Sequence, residues 1–261
     1  MNNDSPYKAV FVMTLTALVC SVLVTFTAVK LQPIQKSYQN LERNRAIVKI
    51  SGLTKDSKQL SDREIVSIFQ KVEAKIIDMN TGDFDTKYNP ATFETWSLDN
   101  NPQLSVIIPT DEDKAKLSRR SQLITVYLVK DSDSLNRLIL PIYGQGMWSK
   151  IFGFIALEPD LNTIADVVFY KQAETSGIGD KILNPDWQSS WRTRKIFDDK
   201  GRLQIGVKGA QSAQKSLSSV HEIDAITGAT VTVDAVMNLL HYWFGPHGYQ
   251  PFLDGFRKQQ K

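Results

Sequence analysis

The sequence predicts an α+β fold: a single N-terminal transmembrane helix followed by an α+β domain with a mainly antiparallel sheet. Three observations carry that reading. Residues 9–29, AVFVMTLTALVCSVLVTFTAV, hold no charged side chain. Short β-branched runs bounded by Gly, Pro, Asp or Asn crowd the middle of the chain. Apolar residues at helical spacing lie on either side of that middle, so helices and strands are segregated rather than alternating.

Residues 9–29 would span about 32 Å as a helix, the thickness of a bilayer hydrocarbon core. Lys8 and Lys30 bracket the stretch. Thr14, Thr16, Ser21, Thr25 and Thr27 dilute it, but their hydroxyls can bond to the carbonyl one turn earlier and so be tolerated in lipid. A cleaved signal peptide is the competing reading; its apolar region would be shorter, and no clear A-x-A site precedes the charged stretch. Bulky Val19 before Cys20 argues against a lipoprotein, which leaves Cys20 as a small apolar residue inside the membrane. Basic residues number more on the C-terminal side (Lys30, Lys36, Arg43, Arg45, Lys49) than on the N-terminal side (Lys8). By charge alone, the large domain would face the cytoplasm.

A membrane-proximal spacer and helical region is expected over 31–115. Pro33 marks an exit from the first helix, and a short helix follows. Ser61-Asp62-Arg63-Glu64 reads as a capping box. Ile65, Ile68, Phe69, Val72, Ile76 and Ile77 then continue at helical spacing to an end near Asn80–Asp83. Residues 82–102, rich in Asp, Asn, Thr and Pro, read as loop. Strands are expected at Leu104–Ile108, Leu123–Val129, Leu138–Ile142, Ile151–Leu157, Ile164–Tyr170 and Leu203–Lys208. A last helix runs from Thr232 to Phe244, with Val233, Val236, Met237, Leu240 and Phe244 as its buried stripe. The main domain covers 116–261. No internal repeat is present.

Composition narrows the function. Hydrophobic residues make up 42% and charged residues 23% of the 261, which excludes bulk disorder and allows a sizeable core. A net charge of +3, from 31 basic and 28 acidic residues, is too balanced for a nucleic-acid partner. One cysteine rules out an intramolecular disulfide and any Cys-rich zinc or iron–sulfur site. His221, His241 and His247 show no metal-ligand spacing, so no metal site is expected.

Three clusters exceed what packing requires. Asp224-Ala225-Ile226-Thr227-Gly228-Ala229-Thr230-Val231-Thr232 precedes an amphipathic helix. Thr230 or Thr232 could simply cap that helix. A helix N-terminus opened by small residues is also a phosphate site, because free N–H groups and the dipole favour an anion. Glu174-Thr175-Ser176-Gly177-Ile178-Gly179 follows a strand, and its glycines let backbone approach a flat or anionic ligand; an ordinary polar loop is the alternative. Tyr143-Gly144-Gln145-Gly146-Met147-Trp148-Ser149 reads as a glycine-rich turn with a core Trp, or as an aromatic wall for a ring pocket.

Together these clusters resemble the NqrC family, the FMN-carrying subunits of the bacterial sodium-translocating NADH:quinone oxidoreductase, over most of the chain. The RnfG family of the Rnf electron-transport complex shares the FMN-binding domain. The carrying motif is D-[G/A/S]-x-[S/T]-G-A-T, here Asp224 to Thr230. The family's E-T-P-G-L-G loop stands as Glu174 to Gly179, with Ser176 for proline and Ile178 for leucine. Its P-x-x-G-x-G-L-W-S stretch stands as Pro141 to Ser149, with Gln145 for the usual lysine and Met147 for leucine. Gly153 to Asp160 is also similar. The long spacer favours the NqrC family over the RnfG family.

The resemblance implies FMN joined by a phosphoester to Thr230, with Thr232 the near alternative. Gly228 and Ala229 would flank the attachment point, and Trp148, Glu174, Thr175, Gly177, Ile178 and Gly179 would contact the flavin. Asp224 and Thr227 would form the recognition signal for a separate, magnesium-dependent flavin transferase. The implied role is single-electron relay between cofactors of a membrane complex, with other membrane subunits as partners. The implied place is the bacterial inner membrane, single-pass, with the domain periplasmic, against the charge count. No Rossmann or P-loop motif is present, so no NADH site is expected, nor a sodium or quinone site, and no residue is assigned as catalytic. An Rnf-type protein, a flavin enzyme with exchanging FMN and a membrane-anchored scaffold without cofactor are the alternative readings.

Overall fold

The computed structural model describes residues 6–54, 60–93, 101–207 and 219–259. Contacts divide the chain into two units, Met1–Arg43 and Asn44–Lys261.

Helix α1 runs Pro6–Ile50. Among the described residues it is the one helix long and apolar enough to cross a membrane. Its apolar side chains from Tyr7 to Val29 are exposed. Thr14, Thr16 and Thr27 donate to the carbonyls of Val10, Val12 and Leu23 at 2.8–2.9 Å, as expected for hydroxyls facing lipid. The expected break at Pro33 does not occur: the proline lies inside the helix. Proline removes one intrahelical bond, and the helix continues because its last turns find a partner. Ala46, Ile47 and Ile50 are buried against Tyr127, Val129, Ile139, Phe154 and Ala156. Arg137 Nη1 then donates to Ile50 O at 2.6 Å, a cation on the negative end of the helix. Gly52 turns the chain away at φ +75°, and a Cβ there would lie 2.8 Å from the Arg137 guanidinium carbon.

The capping box forms as expected. Ser61 Oγ accepts from Glu64 N, and Glu64 Oε2 accepts from Ser61 N at 2.8 Å. Helix α2 covers Asp62–Phe69 only. The expected continuation through Ile76 and Ile77 is instead strand β1, Glu73–Asp78. Apolar residues four apart fit either period over so short a run. Pairing decides: β1 lies antiparallel to β2 (Phe84–Asp85) and β5 (Leu123–Asp131). A separate spacer over 31–115 is therefore not what the contacts show, since β1 lies in the main sheet.

That sheet has the order β2–β1–β5–β6–β7–β8, with β6 at Ser134–Gln145, β7 at Lys150–Leu157 and β8 at Ile164–Lys171. Every pairing in it is antiparallel. Strands β3 (Ser105–Ile107) and β4 (Arg119–Ser121) form a separate antiparallel ribbon. Side chains of the sheet alternate between two cores. Ile124, Val126 and Leu128 of β5 face one, and Tyr127 and Val129 face the other. Both faces are covered, so the strands read as continuous apolar runs. The second face carries α3 (Pro185–Ser189), α4 (Thr230–Trp243) and α5 (Gln250–Gln259). The expected strand 203–208 shrinks to β9, Gly206–Val207, parallel to β10, Glu222–Ile223; Lys208 lies outside the described residues.

Helix α4 is locked to β6 from its C-terminal end. Trp243 Nε1 donates to Tyr143 O at 2.7 Å, and Tyr249 Oη donates to Pro141 O at 2.6 Å. Burial, seconded by Tyr143, pushes the Tyr249 phenol well above its ordinary range. Replacing Tyr249 by Phe leaves the buried Pro141 carbonyl without that donor and should cost about 1–3 kcal/mol in urea unfolding of the full chain in micelles. The sign of the pH effect also follows. The unfolded chain deprotonates Tyr249 above about pH 10 and the folded chain does not. Stability conferred by this group is therefore complete below that pH and declines above it, and Tyr249→Phe should flatten the decline.

Candidate functional site

The three sequence clusters meet at one carboxylate. Glu174 lies just beyond β8 and is 7% exposed. Its Oε1 accepts from Trp148 N at 3.1 Å, and its Oε2 accepts from Met147 N at 3.2 Å and from Thr232 Oγ1 at 2.9 Å. The β6–β7 turn, the loop after β8 and the first turn of α4 are thus tied to a single side chain. Two glycines make this approach possible. A Cβ on Gly146 would lie 2.5 Å from Glu174 Oε1, and one on Gly179 would lie 2.7 Å from Thr232 Oγ1.

The start of α4 departs from the simple capping scheme. Its N-cap is Ala229, with no side-chain cap bond. Thr232, the third helical residue, is 3% exposed and spends its hydroxyl on Glu174. Thr230, the first helical residue, is exposed, and among the described residues no partner to its hydroxyl is found. The first N–H groups of a helix have no intrahelical acceptor. With no cap in place, those of α4 and the positive end of its dipole are available to an anion. Gly228, at φ +81°, has open space where a Cβ would be, while Ala229 is buried. Asp224 and Thr227 are exposed.

The loop after β8 is arranged to present a surface. Ile178 N and Gly179 N both donate to Thr175 O, at 3.1 and 2.9 Å, and Gly177 takes φ +76° between them. Ile178 is exposed. Trp148 is 67% exposed, so it is not the core Trp of the plainer reading. Its ring is nonetheless held, because Nε1 donates to Thr175 Oγ1 at 3.0 Å. Glu174 faces inward, onto protein donors, rather than outward to a ligand.

Sequence reasoning missed the supports behind these loops. Ser149 Oγ accepts from Ala173 N at 2.8 Å, closing the β6–β7 turn onto the β8 loop. In α3, Trp187 Nε1 donates to Asp224 O at 2.8 Å and holds the head of the Thr-Gly-Ala-Thr segment. The Asn184-Pro185 pair, an N-cap followed by proline at the first helical position, was the local signal for α3.

Residues 146–245 match the family model described as the FMN-binding domain. The match runs from Gly146 through the whole of α4 and takes in all three tied segments, so the class is an FMN-binding-domain protein. Over its full length the chain is 36% identical to the Na(+)-translocating NADH-quinone reductase NqrC protein of Pseudomonas aeruginosa, covering 98% of each chain. It is 34% identical to the corresponding protein of Haemophilus ducreyi, covering 98% of this chain and 96% of that one. The crystal structure of Shewanella oneidensis NqrC superposes with a TM-score of 0.70 at 32% identity, covering 83% of this chain and 97% of that chain. The chain belongs to the NqrC family of the Na(+)-translocating NADH-quinone reductases.

The same substitution should have opposite signs at two glycines. Gly179→Ala forces a Cβ against Thr232 Oγ1 and Glu174 and should destabilise by about 1–3 kcal/mol. Gly255→Ala, in α5 with open space around it, should stabilise by about 0.5–1 kcal/mol. Urea unfolding of the two full-length variants checks both.

Proposed function

We propose that this protein carries FMN as a phosphoester on Thr230 and relays single electrons between cofactors of the reductase. The observation that carries the proposal is the exposed Thr230 hydroxyl at the uncapped start of α4. The alternative attachment point, Thr232, is buried and engaged with Glu174. A threonine cap, which a cofactor-free scaffold would use here, is not formed.

The residues present fit the group. FMN, when bound, supplies the ring system that accepts and passes on electrons. The N–H groups at the start of α4 would receive the phosphate charge, and Gly228 and Ala229 leave room beside it. Trp148, its indole fixed by Thr175, and Ile178 offer exposed apolar surface to a flat ring. Gly177 and Gly179 shape the loop that carries Ile178, and Glu174 holds the walls together. Asp224 and Thr227, both exposed, are accessible to a flavin transferase. A threonine hydroxyl is a poor nucleophile without an activating base, which supports attachment by such a separate enzyme.

On this reading α1 is a single anchor in the bacterial inner membrane, and the other membrane subunits of the reductase are the partners. We place the domain on the periplasmic side, following the family resemblance against the Lys/Arg bias. Electrons would arrive from and leave to neighbouring subunits, since the chain carries no NADH-binding motif of its own.

Co-expression with a flavin transferase, followed by intact mass, tests the attachment. Wild type should gain FMN minus water, and Thr230→Val should gain nothing. Equal gain in both proteins would move the bond elsewhere, and no gain in either would contradict the covalent reading.

A further inference from the structure

The far end of the flavin loop is held from an unexpected direction. Its near end is tied by Glu174 and by Thr175. Beyond Gly179 the chain makes a 3-10 turn, Gly179–Leu183, and Ile182 O in that turn accepts from Gln188 Nε2 at 2.9 Å. Gln188 Oε1 in turn accepts from Lys49 Nζ at 3.0 Å, across 139 residues of sequence. Lys49 stands in the last turn of α1, which Arg137 caps. Gln188 is 2% exposed, so its amide exchanges no bond with water. Removing either partner leaves a buried polar group unsatisfied, and the cheapest relief is movement of the turn.

We propose that Gln188, oriented by Lys49, is a positioning residue for the flavin loop: it fixes the turn after Gly179 and thereby where Ile178 stands against the start of α4. The bonds from Ile178 and Gly179 to Thr175 O are internal to the loop and set its shape, not its place. The Gln188–Ile182 bond sets its place. The neighbouring Trp187 holds Asp224 O, so one short helix carries tethers to both segments of the site. The consequence for electron transfer rests on the proposed FMN at Thr230, since a loop that shifts against α4 changes the surroundings of the ring.

The test uses the full-length chain in detergent micelles, co-expressed with a flavin transferase. Gln188→Met, Lys49→Met and Lys49→Arg are compared with wild type by intact mass, hydrogen exchange and redox titration of the bound flavin. Gln188→Met and Lys49→Met should speed exchange of the Ile178 and Gly179 amides about two- to tenfold. Amides of β5, β6 and β7 should not change. Both variants should keep their FMN and shift its midpoint potential in the same direction, while Lys49→Arg, which retains a donor, stays with wild type. If Gln188→Met does not fold, Lys49→Met, at a half-buried position, carries the test alone. Unchanged exchange at Ile178 and Gly179, or equal acceleration throughout the sheet, overturns the positioning role. A wild type without added mass refutes the electron-carrier reading instead, and the exchange result still decides the placement of the loop.

Discussion

A buried carboxylate with three protein donors holds this site together. Glu174 takes N–H bonds from Met147 and Trp148 and a hydroxyl bond from Thr232. An ionised carboxylate in such a place is tolerable only when its oxygens are satisfied. All three segments must therefore be in position together: the β6–β7 turn, the loop after β8 and the first turn of α4. Gly146 and Gly179 are small because the carboxylate and the Thr232 hydroxyl occupy the space a side chain would need. The exposed features follow from this buried one. Trp148 and Ile178 can face outward as an apolar surface, and Thr230 can stand uncapped, because Glu174 has already fixed the backbone beneath them.

The sheet supplies the rigidity on which that bracket stands. Glu174 follows the edge strand β8, the glycine-rich turn joins two central strands, and α4 is bonded to β6 by Trp243 and Tyr249. The end of α1 covers the opposite face through Ala46, Ile47 and Ile50. Lys49, in the same turn, reaches Gln188 and so the back of the flavin loop. The segments that carry the proposed chemistry are loops, but each is tied at both ends to elements with buried cores.

Much of the fold could be read in advance because its strongest signals are local. β-Branched runs located β5, β6, β7 and β8, and the capping box at Ser61 located the start of α2. The failures share a cause, which is that a distant partner decided the outcome. Nothing near Pro33 announces that Ala46 and Ile47 will pack on a sheet and prolong the helix. Ile76 and Ile77 fit a helical period until β5 pairs with them. At the site, the Glu174–Gly179 and Asp224–Thr230 clusters stood out by composition. Their meeting did not, because the Glu174–Thr232 bond joins residues 58 apart. Gln188 and Trp187 left no local trace for the same reason, since a buried amide or indole is explained by the carbonyl it finds.

The central claim is that Glu174 holds the Trp148 turn against the start of α4, where the flavin is proposed to be attached. Time-resolved flavin fluorescence of wild type and Glu174→Ala, each confirmed by mass to carry FMN, tests it most directly. An indole beside the ring quenches its emission, so wild type should show a short lifetime. Loss of the carboxylate frees the turn, and the lifetime should lengthen while the flavin stays attached. An equally short lifetime in both proteins would contradict the account, because Trp148 would then be held by something other than Glu174.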